Sequence, residues 1–194
     1  MNPVLLVHGI DDTGAVFRTM RPALVAAGWD AEAFDMVPSN GDASLKVLAG
    51  QIRDRVAVIK RRTGTKHVDV VAFSLGGIAS RYYLQRLGGA AEVERFVSIA
   101  SPHHGTWTGF LRWNVGGSEL RVGSAFIADL NRDWPDTASH LKVTTIWTPF
   151  DLMIVPSNSS QLPMAHEIVV PVVLHPWMLW DGRCIMAVEQ ALRS

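Results

Sequence analysis

The sequence has no excess of charge of either sign: eighteen lysines and arginines balance eighteen aspartates and glutamates. Its longest run of like charge is Lys60-Arg61-Arg62, which suits a solvated helix end. Nothing in that balance selects an anionic membrane, and no nucleic-acid partner is expected. No apolar stretch approaches the roughly 20 residues that cross a bilayer. The start, Met1-Asn2-Pro3-Val4, has neither a basic leader nor a small-residue cleavage site. The single cysteine, Cys184, excludes an intramolecular disulfide and agrees with a reducing compartment, so a cytoplasmic location is expected. Cys184 sits in a helical pattern and reads as a small packing residue. Internal repeats, low-complexity tracts and interdomain linkers are also absent.

What is present suffices for one core. With 194 residues, 48% apolar and 19% charged, the expectation is a single domain over 1–194. Short, nearly continuous apolar runs occur at Val4–Val7, Val68–Phe73, Phe96–Ala100, Val143–Trp147 and Ile168–Leu174, with a weaker one at Ala31–Val37. They read as about six buried, mostly parallel strands. Between them Leu45, Leu48, Ile52, Val56 and Ile59 recur at helical spacing, from a cap at Asp42 to Gly64. Val16 to Val25 makes a similar stripe in which Pro22 must kink the helix or begin a new turn. Ile78–Leu87 and a stripe through Met178, Ile185, Val188 and Leu192 supply two more helices. The class is therefore α/β, an open sheet with helices on both faces. Residues 102–140 are the exception, rich in Gly and Trp, with one short helical pattern at Ser124–Leu130; 103–140 is a candidate small cap or pocket-lining insertion.

One junction carries chemistry. The strand Val68–Phe73 runs directly into Ser74, followed by Leu75-Gly76-Gly77 opening a helix. Small residues at 72, 76 and 77 permit the close strand-to-helix turn of a nucleophile elbow, with Ala72 where a glycine is usual. The alternative is that Ser74 is an ordinary helix N-cap. In the elbow reading its hydroxyl stands above the strand ends, near helix N–H groups that face a developing oxyanion, and the Leu75 N–H is the first such donor. The second is the N–H of Ile10, in the His8-Gly9-Ile10 loop after the first strand. His8 precedes the nucleophile and reads as a loop-shaping residue rather than the base.

A serine nucleophile needs a base, and the base needs a carboxylate to fix its tautomer. The loop after Val143–Trp147 holds one acid, Asp151; Asp129, Asp133 and Asp136 compete but fall inside the long connection, where capping roles are ordinary. The last apolar run ends at His175-Pro176, which places His175 in a loop at a strand end as the candidate base. His166 would lie at the opposite end of the sheet. In the long connection, Trp107, Phe110, Leu111, Trp113 and Val115 make either an acyl-binding wall or a set packed on the sheet. Phe73, His103 and Trp107 are the candidate substrate-binding residues, with His103 and His104 as loop-shaping or rim positions. Adjacent histidines point apart, so no metal site is expected.

With these motifs in view, His8-Gly9-Ile10, Ala72-Phe73-Ser74-Leu75-Gly76-Gly77, Ser101-Pro102-His103-His104-Gly105-Thr106, Asp151 with Val155-Pro156, and His175, the chain resembles the small bacterial lipases and esterases of the α/β-hydrolase superfamily. Its elbow is that of the compact Ala-x-Ser-x-Gly group. Two positions depart from that group: Phe73 stands where histidine is common and Leu75 where methionine is frequent, and both side chains are expected at the pocket or its floor. The resemblance implies hydrolysis of carboxylic esters through an acyl-enzyme by a lipase or carboxylesterase, with Ser74, His175 and Asp151 as triad and no cofactor. The substrate would be a small-molecule or lipid ester, met by a monomer in transient contact with a lipid interface. Acyl transfer or amide hydrolysis by the same triad, and a catalytically silent hydrolase fold that binds a ligand, are the alternatives.

Overall fold

The computed structural model describes residues 1–194. Six strands, β1 (Val4–Val7), β2 (Ala31–Ala33), β3 (Val68–Phe73), β4 (Val93–Ile99), β5 (Lys142–Trp147) and β6 (His166–Val169), form one sheet in the order β2-β1-β3-β4-β5-β6. Every neighbouring pair is parallel. The inner strands are mostly apolar and buried along the middle of their length because both faces are covered. Leu5, Val7, Val70, Ala72 and Phe96 face one layer of helices, whereas Val4, Leu6, Val71, Phe73, Val97 and Ile99 face the other.

The first layer holds α2 (Leu45–Thr63), α3 (Leu75–Arg86), α5 (Ala125–Arg132) and α6 (Trp134–Ala138), and the second holds α1 (Met20–Ala26) and α7 (Gly182–Arg193). Pro22 falls in the first turn of α1, where its missing N–H has no helical acceptor to lose. The stripe from Val16 to Val25 is accordingly split into a 3-10 turn, Gly14–Phe17, and α1.

Three expectations are corrected. The cap of α2 is Ser44, not Asp42: the Ser44 side chain accepts from Lys46 N. The Glu119 carboxylate accepts from Ser44 Oγ at 2.7 Å and from Leu45 N at 2.6 Å, placing negative charge on the helix N-terminus. Local sequence cannot show a carboxylate that arrives from 74 residues away. β2 and β6 are shorter than the apolar runs implied; β6 pairing ends where Val170 N donates to Trp147 O, because Pro171 has no N–H to continue the ladder. Residues 102–140 hold not one helix but α4 (Val115–Glu119), α5 and α6, plus a 3-10 turn at Trp107–Leu111.

α3 carries a fully buried cation, Arg81, which is tied to no carboxylate. Its guanidinium donates to Asn131 Oδ1 at 3.0 Å and to Leu130 O at 2.9 Å, and lies 4.7 Å from the centre of the Trp134 ring. Burial pushes its pKa down to about 9, so the charge persists at neutral pH. These bonds fasten the end of α5 to the helix that begins at Ser74. Arg81→Leu, which leaves the buried His103 O and the part-buried Asn131 Oδ1 without their donor while Leu130 O keeps Gln85 Nε2, is expected to lower unfolding free energy by about 2 kcal/mol, read as a shift of the urea midpoint at constant slope.

Candidate active site

At Ser74 the chain leaves β3 and enters α3 with φ 54° and ψ −125°, a left-handed conformation that costs a non-glycine residue of order 1–3 kcal/mol. The turn is held on both sides. Ser74 N donates to Ile99 O at 2.9 Å, and Gly77 N to Ser74 O at 3.0 Å. A Cβ on Gly76 would lie 2.3 Å from His8 O, and one on Gly77 would lie 2.1 Å from Ser101 Oγ. The helix therefore touches both β1 and the loop after β4, which only glycine permits. The Ser74 side chain does not cap α3, so the N-cap alternative does not describe it. Its side chain instead faces a cleft of about 590 Å³.

The cleft opens where the chain order of the sheet reverses. From β1 the chain goes out to β2 and then returns past β1 to β3, leaving a crevice between the carboxyl ends of β1 and β3. Ile10 from the loop after β1 and Ser74 from the end of β3 both line it. Gly9 allows this approach, since a Cβ there would sit 3.1 Å from the Ser74 Cβ. No protein acceptor takes the Ile10 N–H. His8 shapes the loop: its Nδ1 bonds Gly9 O at 2.8 Å and its Nε2 accepts from Met36 N at 2.8 Å. Burial holds its pKa below the ordinary value and keeps it neutral, as that pair of bonds requires.

Asp151 and His175 come together. His175 Nδ1 lies 2.6 Å from Asp151 Oδ2, and since a carboxylate accepts, Nδ1 carries the hydrogen and Nε2 is left free to accept a proton. The other oxygen, Asp151 Oδ1, accepts from Met153 N at 2.8 Å and Ile154 N at 2.9 Å, which fixes the carboxylate. Both residues are buried. His175 is not in an extended loop; it opens a 3-10 turn, His175–Leu179, with Pro176 at a position where no N–H is needed. Asp129 and Asp133 are occupied elsewhere, both paired with Arg86. His166 starts β6, at the opposite edge of the sheet from the cleft.

The residues assigned to substrate are placed differently. Phe73 does not line the cleft: it is buried in the second core layer, its ring 4.6 Å from that of His175 at a tilt of 35°. It is the last residue of β3, so its side chain points to the face opposite Ala72. His103 is fully buried, with Nε2 2.9 Å from Ser98 Oγ, and cannot meet a substrate in this structure. Burial, and then the Arg81 cation, hold its pKa well below the ordinary range. Trp107 is more than half exposed, stacks on Phe110 at 5.5 Å, and does not line the cleft either. Leu75 points its side chain into the first core layer, not to the pocket.

The side chains that do line the cleft include Thr106, Thr108, Leu111, Arg112, Leu120, Leu152 and Met153. They lie in loops without periodicity, and their one visible signal was the apolar series from Trp107 to Val115. That series does not pack on the sheet; its large side chains are exposed, Trp113 to 94%. The wall is tied down nonetheless. Thr106 Oγ1 and Thr108 Oγ1 donate to Met153 O at 3.0 and 2.6 Å, Trp107 N to Val155 O at 2.8 Å, and Gly116 N to Gly41 O at 2.7 Å.

Comparison with known proteins agrees with this architecture. Residues 3–125, which include the His8–Ile10 loop and the elbow, match the model of the palmitoyl protein thioesterase family. The mature form of the lipase BlEst2 from Bacillus licheniformis superposes with a TM-score of 0.82 at 19% identity, over 98% of this chain and 91% of that one. Aspergillus fumigatus lipase B gives 0.85 at 18% identity over all of this chain, which spans 52% of the fungal chain. The ydeN gene product of Bacillus subtilis gives 0.76 at 16% identity, with 100% of both chains covered. The fold is that of the α/β-hydrolases.

Two buried histidines give the fold an acid limit. His8 and His103 are held below the ordinary value of 6.5 by burial. As pH falls through 6.5 the unfolded chain takes up protons that the folded chain refuses, so stability present above that value is lost toward pH 5. The unfolding free energy, read from the urea midpoint at constant slope, is expected to drop over this range by up to about 1.4 kcal/mol per pH unit for each histidine, and His103→Asn should flatten the pH dependence. An equal slope in that variant would remove His103 from the account.

Proposed function

The chain belongs to the palmitoyl protein thioesterase family, and on that premise we propose that it is a serine hydrolase cleaving acyl esters and acyl thioesters through an acyl-enzyme. The observation that carries the reading is the Ser74 side chain, raised by a strained elbow into a cleft partly lined by apolar side chains, with His175 packed at a tilt against the adjacent Phe73 and fixed by Asp151.

Ser74 Oγ attacks the acyl carbonyl as His175 Nε2 takes its proton. The N–H groups of Ile10 and Leu75 receive the developing oxyanion. The tetrahedral adduct collapses, breaking the bond to the leaving oxygen or sulfur, and the imidazolium returns the proton to it. Water, activated by the same Nε2, then releases the acid and restores Ser74. Asp151 keeps Nδ1 protonated and steadies the transient positive charge. The apolar lining from Ile10, Leu120 and Ile154 suits an acyl chain. The exposed Leu111, Trp113 and Leu152 suit transient contact with the surface of a lipid aggregate.

A fluorophosphonate probe is expected to label the native chain and not Ser74→Ala; equal labelling of both removes Ser74 as nucleophile. Matched butanoyl oxyester and thioester substrates should both turn over, and Asp151→Asn should lower kcat on each by about three to four orders of magnitude with the fold retained. Undiminished turnover in Asp151→Asn would contradict its assignment as the acid.

A further inference from the structure

We propose that Arg112 is a specificity-determining residue that limits acyl length, its ion pair with Asp11 forming a strut across the cleft on the side of the Ile10 loop. The inference rests on the acyl-hydrolase reading above and adds to it the feature that grades one acyl chain against another.

Arg112 is the one charged side chain lining the cleft, among neighbours that are otherwise apolar, glycine or hydroxyl-bearing. It ends the 3-10 turn Trp107–Leu111 in extended conformation. Its guanidinium then reaches the chain that follows Ile10, which lines the cleft beside Ser74. Nη2 pairs with Asp11 Oδ2, and Nη1 donates to Asn40 O at 3.3 Å. Asp11 directly follows Ile10 and is presented by a left-handed turn with φ 59°, its N–H bonded to Ser39 O at 2.9 Å. The strut thus joins the 102–140 wall to the loop that carries the oxyanion N–H.

Its root is fixed while its tip is free to yield. Arg112 O accepts from Arg121 Nη2 at 2.8 Å, and Asn114 Nδ2 donates to Asn40 O at 2.9 Å, so the backbone on either side is pinned. The tip is wetter: the Arg112 and Asp11 side chains are 33% and 53% exposed. A pair exposed to that degree is weak and is screened by salt. Short acyl chains fit without touching it. Longer chains must push the guanidinium aside, lose its charge partner and lay methylenes against what remains, so they are discriminated against without being barred. Because the backbone wall is tied down, the selectivity resides in this side chain and not in movement of the whole segment.

The test is the ratio of kcat/KM for dodecanoyl over butanoyl p-nitrophenyl esters, both below their aggregation concentrations. Arg112→Ala should raise that ratio about fivefold, and Asp11→Asn should move it the same way by less. Raising salt from about 0.05 to about 0.5 M should move the native ratio toward that of Arg112→Ala and leave the variant unchanged, which a merely structural role would not produce. An unchanged ratio in both variants, with native circular dichroism, overturns the strut; so does a ratio that falls. Ser74→Ala separates the two readings: if it abolishes turnover while the ratios stay flat, only the strut fails, and if the native chain turns over neither ester, both fail.

Discussion

The fold is organised around one close contact, the backbone of the first turn of α3 against the ends of β1 and β4. Gly76 and Gly77 let the helix lie directly on His8 O and Ser101, and that contact is what holds Ser74 in a conformation it would otherwise leave. Because the contact involves β1, it also fixes the His8–Ile10 loop beside the serine. Because Phe73 is the residue before the turn, it fixes the plane on which His175 rests. A methyl group at either glycine would separate these pieces together, since no flexible side chain intervenes at Gly76 to absorb the shift.

The parts of the molecule that sequence makes legible are those whose cause is local. Apolar runs long enough to be buried on both faces mark the inner strands, and the strand, serine and paired glycines mark the elbow, since each requirement is met within a few residues. Strand-end position singles out Asp151 and His175, which the structure joins by a hydrogen bond of 2.6 Å. Features with distant causes were not legible. The cap of α2 depends on Glu119, 74 residues from Leu45, and the order of residues 102–140 depends on Arg81 of α3 and on Met153 O. Phe73 illustrates the same limit: its place next to the serine suggests the pocket, whereas strand alternation turns it to the opposite face, against the ring of His175.

The cleft wall shows how irregular sequence can be well ordered. Residues 102–140 have little periodicity, yet Thr106 and Thr108 bond to the Asp151 loop, Gly116 and Glu119 bond to the segment entering α2, and Arg81 anchors the end of α5 to α3. These bonds span long separations, most of them from side chain to backbone, and they join the wall to the Asp151 loop, to the segment entering α2 and to α3. The wall and the loop that holds Asp151 are thus one mechanical unit, held by hydrogen bonds in place of a regular ladder.

The strand order has a consequence for how such a site comes into being. β1 is sandwiched between β2 and β3, and every pairing in the sheet is parallel, so no hairpin of neighbouring strands exists to serve as a seed. β1 has only the three-residue β2 on one side until the chain through residue 73 has closed a long loop and docked on the other. The same docking event creates the crevice, bends the serine turn and brings the Ile10 loop beside it. Docking of β3 on β1 therefore both completes the centre of the sheet and supplies the scaffold that holds the strained turn at Ser74, so that turn has nothing to keep it until the long loop has closed.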